Sequence, residues 1–290
     1  MGSAVPRVLA ISARSRLSSV ELSLAEVAAE LGVHYMTVYK YVRTGRLPAR
    51  QVGREWRVRR SDLAAFVAPG TPRVGAGRSQ MAARLRDRMV AGDEAGAWAV
   101  IEGALASGAD AVTVLVDGVG AAMRRVGDDW ARGEIDVADE HRASAVGHRL
   151  LGRLSARSAR RGRRRSSVVI AAPSGDHHAL AVALAADVLR IVGYDVIEGG
   201  ADLPPHSFVA AVQHAERAAP VRALVITVTT TGLDEVVRST VAEVRAAIAN
   251  ITIVVGGPAV RDLDHARALG ADHSVSGSAV DLMALLDGLS

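Results

Sequence analysis

The stretch SSVVIAAPSGDHHALA, residues 166–181, decides the fold of the larger part of this chain. Its first half is an apolar run typical of a buried strand, and its second half is a polar loop leading into an amphipathic helix. Four more apolar runs follow, at residues 194–199, 223–228, 251–257 and 272–277. Helices are predicted at about 178–192, 205–218, 234–249, 261–269 and 279–288. This alternation predicts an α/β domain over 167–290, a doubly wound five-stranded parallel sheet that binds ligands beyond the carboxyl ends of its strands.

The segment before this domain is predicted to be helical throughout. Apolar residues recur at three- and four-residue spacing in four stretches, residues 81–90, 97–107, 111–127 and 143–154. Four such helices form a four-helix bundle over residues 79–156. An Arg-rich run at 157–166 is predicted to be a solvated linker, with a contribution to DNA affinity as the alternative. A Pro- and Gly-rich stretch at 69–78 predicts a second linker, and residues 1–18 are expected to be a flexible N-terminus.

Composition limits the class of protein. The chain has 290 residues and no cysteine, so disulfides and thiolate metal sites are excluded and any protein metal ligand must be His, Asp or Glu. No apolar run approaches the roughly 18 residues of a membrane span, and no signal peptide is recognisable, so we expect a cytoplasmic protein without a membrane partner. Residues 1–78 carry 13 Lys and Arg against 5 Asp and Glu, whereas the remainder carries 22 against 26. This asymmetry favours a polyanion as the partner of the first domain.

Residues 19–68 have the pattern of a DNA-binding domain. Ser23 is a plausible N-cap for a helix with Leu24, Val27, Ala28 and Leu31 on one face, and Gly32 ends that helix. A second helix, residues 34–43, would bury Val38 and Val42, and residues 49–63 predict a hairpin or wing with Trp56 beneath it. The candidate contacts to double-stranded DNA are the polar and basic residues of the second helix and wing: His34, Tyr35, Thr37, Lys40, Arg43, Arg54, Arg57 and Arg59.

In its order of helix, turn, helix and basic wing, this segment resembles the excisionase-like and MerR-like winged helix-turn-helix module. The resemblance covers about 50 residues and is strongest in SLAEVAAELGVHYMTVYKYVRTGRLPARQVGREWRV, residues 23–58. It implies binding to a double-stranded DNA operator. The alternative is a small helical protein-interaction domain whose arginines are incidental.

The two adjacent histidines after the first strand of the α/β domain differ in what precedes them. If Asp176 accepts a hydrogen bond from one ring nitrogen of His178, the tautomer is fixed and the other nitrogen stays basic. This arrangement is common for imidazoles that bind metals. His177 lacks that spacing and is expected to point to solvent. A general base, a metal ligand and an ordinary surface residue all remain open for His178 on chemistry alone.

The α/β segment resembles the flavodoxin-like cobalamin-binding fold, whose fingerprint is Asp-x-His-x-x-Gly, a later Ser-x-Leu/Thr and a Gly-Gly pair. The matching cofactor-binding positions are Asp176, His178, Ala181, Gly200, Thr227, Thr229, Gly256 and Gly257. The resemblance implies that His178 is the lower axial ligand of cobalt in a bound cobalamin. Ala181 stands where the family has Gly, and an extra methyl in a packed site costs about 1–3 kcal/mol. A domain that keeps the fold with a lost or changed ligand is the alternative.

The stretch WARGEIDVADEH, residues 130–141, is similar to the cap motif of light-sensing, adenosylcobalamin-dependent repressors of the CarH type. The similarity implies that Trp130 packs against the adenosyl group and that Glu140 and His141 line its pocket. Taken alone, Trp130 would be predicted to lie in the bundle core and the acidic residues to start a helix. Ala131 replaces a histidine that commonly binds cobalt after photolysis in the family, which leaves the light response open.

Together these features predict a regulator and not an enzyme. The resemblance implies a repressor and photoreceptor whose DNA binding is controlled by cobalamin, with adenosylcobalamin as the expected cofactor and a homo-oligomer, dimer or tetramer, as the DNA-binding form. Two alternatives remain: the same architecture sensing another tetrapyrrole or a metabolite, and a corrinoid methyl-transfer subunit, against which the basic first domain argues.

Overall fold

The structure is a computed structural model of the 290-residue chain, and it describes residues 21–31, 33, 35–43, 47–53, 55–67, 74–158, 166–275 and 277–289. The chain divides into two compact units between Gly77 and Arg78. The expected flexible N-terminus and residues 159–165 of the Arg-rich run lie outside the described residues, and the predicted start of that linker at 157 is two residues too early, because the preceding helix continues to Ser158. No helix in the described ranges is both long and apolar enough to cross a membrane.

The first unit is a small helical domain with an antiparallel sheet. Its elements are β1 (Glu21–Ser23), α1 (Leu24–Leu31), α2 (Tyr35–Arg43), β2 (Arg50–Val52), β3 (Glu55–Arg59) and α3 (Arg60–Val67), with sheet order β1-β3-β2. Ser23 begins α1 through a capping box, because its hydroxyl accepts from the Glu26 backbone N–H and the Glu26 carboxylate accepts from that of Ser23. Leu24, Val27 and Val38 are buried in one core, which confirms the predicted apolar faces.

The second unit begins with a four-helix bundle, as predicted. Its helices are α4 (Val74–Val90), α5 (Glu94–Ala106), α6 (residues 111–131) and α7 (Val137–Ser158). Asp93 caps α5 by accepting from the Gly96 backbone N–H at 2.8 Å, and Asp110 caps α6 in the same way through Thr113. The prediction of a linker over 69–78 extends too far, because α4 already begins at Val74. The last proline of this stretch is Pro72, so no proline interrupts the helix from Val74 onward.

A π-helical segment interrupts α6, which periodicity did not predict. It covers Val114–Gly120, between the α-helical parts Ala111–Thr113 and Ala121–Ala131. A Cβ on Gly118 would lie 3.1 Å from Met81 Cε, so the segment packs tightly against α4. The wider turn is a tertiary feature, since apolar spacing in a sequence does not distinguish it from an α-helix.

The rest of the second unit is the predicted α/β domain. Its elements are β4 (Ser167–Pro173), α8 (Ala179–Val192), β5 (Asp195–Leu203), α9 (Pro205–Glu216), β6 (Val221–Thr227), α10 (Asp234–Ala247), β7 (Ile253–Gly256), α11 (Leu263–Ala268), β8 (His273–Val275) and α12 (Ala279–Gly288). All strand pairs are parallel and the order is β5-β4-β6-β7-β8. β5 runs four residues beyond its predicted end, because its Gly-rich second half still pairs with β4.

This strand order places a topological switch point between β4 and β6. The strand β5, which follows β4 in the chain, pairs with one edge of β4, and β6 pairs with the other edge. The connections after β4 and β6 therefore diverge, and a crevice forms beyond the carboxyl ends of these two strands. The loop of residues 174–178 follows β4 and the loop of residues 228–233 follows β6. The candidate histidine therefore lies at the position where folds of this topology bind ligands.

Candidate functional site

The loop after β4 brings a buried carboxylate and an accessible imidazole together. Asp176 is fully buried, and its Oδ1 lies 2.7 Å from Nδ1 of His178. The Asp176 N–H donates to the Pro173 carbonyl, which closes a tight turn and holds the carboxylate under the imidazole. His178 is the N-cap residue of α8, so the helix fixes its backbone. The pair expected from the spacing is therefore formed.

Asp176 also joins the two sides of the switch point. Its Oδ2 accepts from the backbone N–H of Thr229 at 2.5 Å and of Thr230 at 3.2 Å, both in the loop after β6. Burial opposes the charge, but the hydrogen bonds from His178 and these two N–H groups outweigh it and lower the pKa of Asp176 to about 2. The carboxylate is therefore ionised at neutral pH and can only accept.

That charge fixes the tautomer of His178. Because Asp176 accepts, Nδ1 of His178 carries the hydrogen, and Nε2 makes no hydrogen bond within the described part of the chain. The bond to Asp176 raises the pKa of His178 against the effect of desolvation, and the Glu140 carboxylate contributes in the same direction. The His178 side chain is 55% exposed, so Nε2 is accessible to an incoming ligand.

Thr230 is a member of this group that the sequence did not indicate. Its hydroxyl lies 3.4 Å from Oδ1 of Asp176 and 3.4 Å from Nδ1 of His178, in addition to its backbone bond. Thr230 is more than 50 residues away from the pair, and of the three consecutive threonines at 229–231 the fingerprint had selected Thr229. Only the pairing of β4 with β6 brings it to the site.

His177 points away from this group, as expected. Its side chain is 76% exposed, with Nδ1 3.9 Å from a carboxylate oxygen of Asp202. Asp202 has a φ of 55° and closes the end of β5 onto the loop, because its N–H donates to the Asp176 carbonyl and its carboxylate accepts from the Gly175 N–H. Such a backbone conformation is uncommon for Asp and is held here by these two bonds.

The remaining fingerprint positions surround the carboxyl ends of the strands. Ala181 is exposed on the first turn of α8, so its methyl group lies outside the packed core. The Thr227 hydroxyl donates to the Ala171 carbonyl, which links β6 to β4. Gly256 and Gly257 pass close to neighbouring backbone, since an added Cβ would lie 2.7 Å from the Val275 oxygen and 2.4 Å from the Val228 oxygen respectively. Gly200 has a φ of 77° and open space around it.

The cap motif lies at the α6–α7 corner of the bundle. Trp130 is 52% exposed, which excludes the alternative that it is a bundle-core residue. Its neighbour Asp129 is buried and holds the end of α6 through Arg86 of α4 and Arg132. Glu140 is partly buried and accepts from the Ser144 hydroxyl at 2.7 Å, whereas His141 is exposed beside it. The Glu140 carboxylate also contributes to the raised pKa of His178, which connects the motif electrostatically to the imidazole.

The candidate DNA contacts are described only in part. His34 and Arg54 lie outside the described residues, as do the side chains of Lys40 and Arg43 in α2. Tyr35 is exposed at the start of α2 and Thr37 is partly exposed. Arg59 is exposed on β3, and Arg57 pairs with Glu55 at 2.6 Å. Met36, which the sequence analysis did not select, is 49% exposed next to Tyr35.

The described residues contain no group of three or more His, Asp or Glu side chains that could hold a metal ion. His178 offers one nitrogen donor, and the chemistry fits a cofactor that needs a single axial protein ligand.

Three family models match the chain. Residues 21–70 match one described as a helix-turn-helix domain, and residues 81–155 and 166–287 match two models that are each described as a B12 binding domain. The matched ranges correspond to the first unit, the helical bundle and the α/β domain.

The curated relatives of this chain are named as corrinoid proteins. Trimethylamine corrinoid protein 1 of Methanosarcina acetivorans is 28% identical over 137 residues, 46% of this chain and 63% of that protein. The trimethylamine corrinoid protein of Methanosarcina barkeri is 26% identical over 141 residues, 48% of this chain and 65% of that protein. The chain thus spans less than two-thirds of the length of these relatives.

A solved structure shares the fold. The Methanosarcina barkeri monomethylamine corrinoid protein has a TM-score of 0.62 at 20% identity, over 72% of this chain and 98% of that one. At this identity the likeness shows architecture alone, and it confirms a helical cap combined with a five-stranded parallel sheet. The chain therefore contains a helix-turn-helix domain followed by two B12-binding domains, one helical and one α/β.

Proposed function

We propose that this chain is a transcriptional regulator, acting as a repressor, whose DNA binding and oligomeric state are controlled by a bound cobalamin. The observation that carries the proposal is the His178–Asp176 pair at the switch point of a chain that also holds a helix-turn-helix domain. The protein would act as a sensor and not as an enzyme.

The residues at the switch point suit a cobalamin. His178 would bind cobalt through Nε2, because Asp176 occupies Nδ1 and fixes the ring. A cobalamin would need this one protein ligand, which His178 would provide. Thr227, Thr229, Gly200, Gly256 and Gly257 would line the space that receives the nucleotide tail. The exposed Ala181 methyl would face this space without displacing any core residue.

The cap motif supports adenosylcobalamin as the form bound. Trp130 would pack on the adenosyl group, and Glu140 and His141 would border its pocket. When bound, this cofactor supplies a cobalt–carbon bond that light cleaves. Ala131 offers no imidazole at the position following Trp130, so that position would supply no second protein ligand to the cofactor.

DNA binding would follow from oligomerisation. Ligand binding would favour one oligomer of the chain, a dimer or tetramer, that places two or more helix-turn-helix domains at half-site spacing. Tyr35 and Thr37 of α2 would meet base edges, and Arg57 and Arg59 would meet phosphates. Illumination or loss of ligand would favour another arrangement and release the operator.

The curated relatives favour a second candidate, a corrinoid subunit in methyl transfer, because they are named as trimethylamine corrinoid proteins. Against it stands the helix-turn-helix domain, which such a role does not need. A regulator that binds another tetrapyrrole or a metabolite is the third candidate.

His178→Ala, with His177→Ala as the matched control, tests the proposal. Purified protein is mixed in the dark with adenosylcobalamin and studied by absorption spectroscopy, by light scattering for mass, and by selection of bound sequences from random duplex DNA. We expect a histidine-ligated spectrum, a change in mass on illumination and operator binding in the wild-type protein and the His177 variant, all weakened in the His178 variant. A wild-type spectrum equal to that of free cofactor would refute cobalamin sensing. Methyl transfer without sequence-selective DNA binding would favour the second candidate.

A further inference from the structure

The cap helix α7 and the helix α8 that follows the candidate ligand lie side by side and touch along their length. At the start of α7, the Glu140 carboxylate contributes to the raised pKa of His178, the N-cap residue of α8. In the middle of α7, Gly147 faces Leu180, which lies in the first turn of α8. Toward their ends, the Ser155 hydroxyl donates to the Asp187 carboxylate. The two helices therefore run in the same direction, and α8 lies against the second half of α7.

The middle contact depends on a missing side chain. Leu180 is buried and belongs to the core of the bundle, although it lies in the α/β domain. A Cβ on Gly147 would lie 2.8 Å from Leu180 Cδ2 and 3.2 Å from Met89 Cε. The bare backbone of α7 at Gly147 thus admits Leu180 between α7 and α4. Packing at this density leaves Leu180 little freedom.

The last contact prevents the two helices from sliding. Asp187 is buried and also accepts from Arg190 at 2.9 Å, and Arg190 donates to Glu198 of β5 at 2.8 Å. Ser155 is thereby tied through α8 to the sheet. With its far end fixed, the distance of α7 from the first turn of α8 depends on how α7 rests on Leu180.

Leu180 and His178 are rigidly linked, because both belong to the first turn of α8, where His178 is the N-cap. Whatever fixes Leu180 against α7 also fixes the imidazole relative to Glu140. A cobalamin held by His178 on one face and covered by the cap on the other must fit within that separation. The separation is then a property of the Leu180–Gly147 contact.

We propose that Leu180 and Gly147 are positioning residues that set the spacing between the His178 imidazole and the cap motif, and that this spacing selects cobalamins by the size of their upper ligand. The inference rests on the proposed function. A nucleoside as upper ligand needs more room than a hydroxide. Replacing Leu180 by Ala lets α7 approach α8, so a bulky upper ligand is penalised and a compact one is not.

The test measures the dissociation constants of adenosylcobalamin and hydroxocobalamin in the dark. For Leu180→Ala we expect the affinity for adenosylcobalamin to fall at least about tenfold more than that for hydroxocobalamin. Gly147→Leu combined with Leu180→Ala restores side-chain volume at the contact and is expected to return the ratio to within about threefold of the wild-type value. The absorption spectrum at saturation reports whether His178 still binds cobalt.

Leu189→Ala is the matched control, because Leu189 lies on the same helix but is buried against the sheet. It should lower both affinities equally. Without ligand, amide hydrogen exchange should rise in residues 137–147 for Leu180→Ala and in residues 167–173 for Leu189→Ala. An unchanged ratio in Leu180→Ala, or an equal change in Leu189→Ala, overturns the inference while leaving the proposed function intact. A wild-type protein that binds neither cobalamin overturns both.

Discussion

Replacing the buried carboxylate of Asp176 by an amide tests the description of the site without any cofactor. Asp176→Asn keeps the shape of the side chain but offers one acceptor oxygen instead of two. Oδ1 faces His178, and Oδ2 faces the backbone N–H groups of Thr229 and Thr230. Oδ1 also accepts from the backbone N–H of His178, so whichever way the amide turns, its NH₂ group faces a backbone N–H, and at least one backbone N–H loses its partner.

The cost follows from the same contacts in two ways. A pKa lowered from 3.8 to about 2 corresponds to about 2 kcal/mol of folding free energy at neutral pH. A buried donor left without a partner costs about 1–3 kcal/mol. Since both describe the same hydrogen bonds, they are not added, and we expect Asp176→Asn to lose about 2–3 kcal/mol at pH 7.

The pH dependence has a definite sign. The folded-state pKa of Asp176 is depressed, so its contribution is fully present above pH 3.8 and is lost as the pH falls through about 2. The pKa of His178 is raised, so its own contribution is present below 6.5 and is lost as the pH rises through the folded-state value. At pH 3 the difference between the wild-type protein and Asp176→Asn should fall to about half.

The assay is urea unfolding followed by tryptophan fluorescence in a Trp56→Phe background, so that Trp98 and Trp130 report on the second unit. Asp264→Asn, at a highly exposed carboxylate, serves as the control and should be neutral. A loss below about 1 kcal/mol at pH 7, or an equal loss at pH 7 and pH 3, would show that the carboxylate is not held as described.

Three more predictions concern contacts elsewhere in the chain. Gly257→Ala should destabilise the second unit by about 3 kcal/mol or more, because φ is 114° and the new Cβ would lie 2.4 Å from the Val228 oxygen. Gly103→Ala is the control: this residue has open space around it on α5, so the substitution should stabilise the protein by up to about 1 kcal/mol. Similar urea midpoints for the two variants would contradict this reasoning. Tyr194→Phe should cost about 1 kcal/mol in the same assay, since it removes the 2.6 Å hydrogen bond to Asp287, and a neutral result would show the bond contributes nothing. Arg59→Ala should weaken binding to operator and unrelated duplex alike and reduce the salt slope by about 1, whereas the exposed Arg267→Ala should not; loss of sequence preference alone would instead indicate a base contact.

The elements of the fold were largely predictable because they are encoded locally. The five parallel strands and five helices of the α/β domain lie within a few residues of their predicted bounds, since burial on both faces of a strand leaves a continuous apolar run. The four bundle helices were predictable for the same reason, from their apolar spacing. Exceptions arise where packing overrides the pattern, as in the π-helical Val114–Gly120 and the second half of β5.

At the candidate site, the sequence determined what is close along the chain. Asp176 and His178 are two residues apart, and their spacing alone predicted the hydrogen bond that the structure contains. Likewise, His177 was predicted to face solvent. A local turn can place such neighbours, so no long-range contact is needed to recognise the pair.

Tertiary structure alone decided which distant residues join that pair. Thr230 contacts the Asp176–His178 pair because β4 and β6 are neighbours in the sheet. Glu140 influences the pKa of His178 because α7 lies beside α8. Leu180 contacts Gly147 because a glycine leaves room for its side chain. Trp130 proved exposed because Asp129 and Arg86 hold the end of α6 at the bundle surface. Sequence periodicity fixes which face of a helix is apolar, but the partner of that face depends on chain topology and side-chain volume, which only the packed molecule determines.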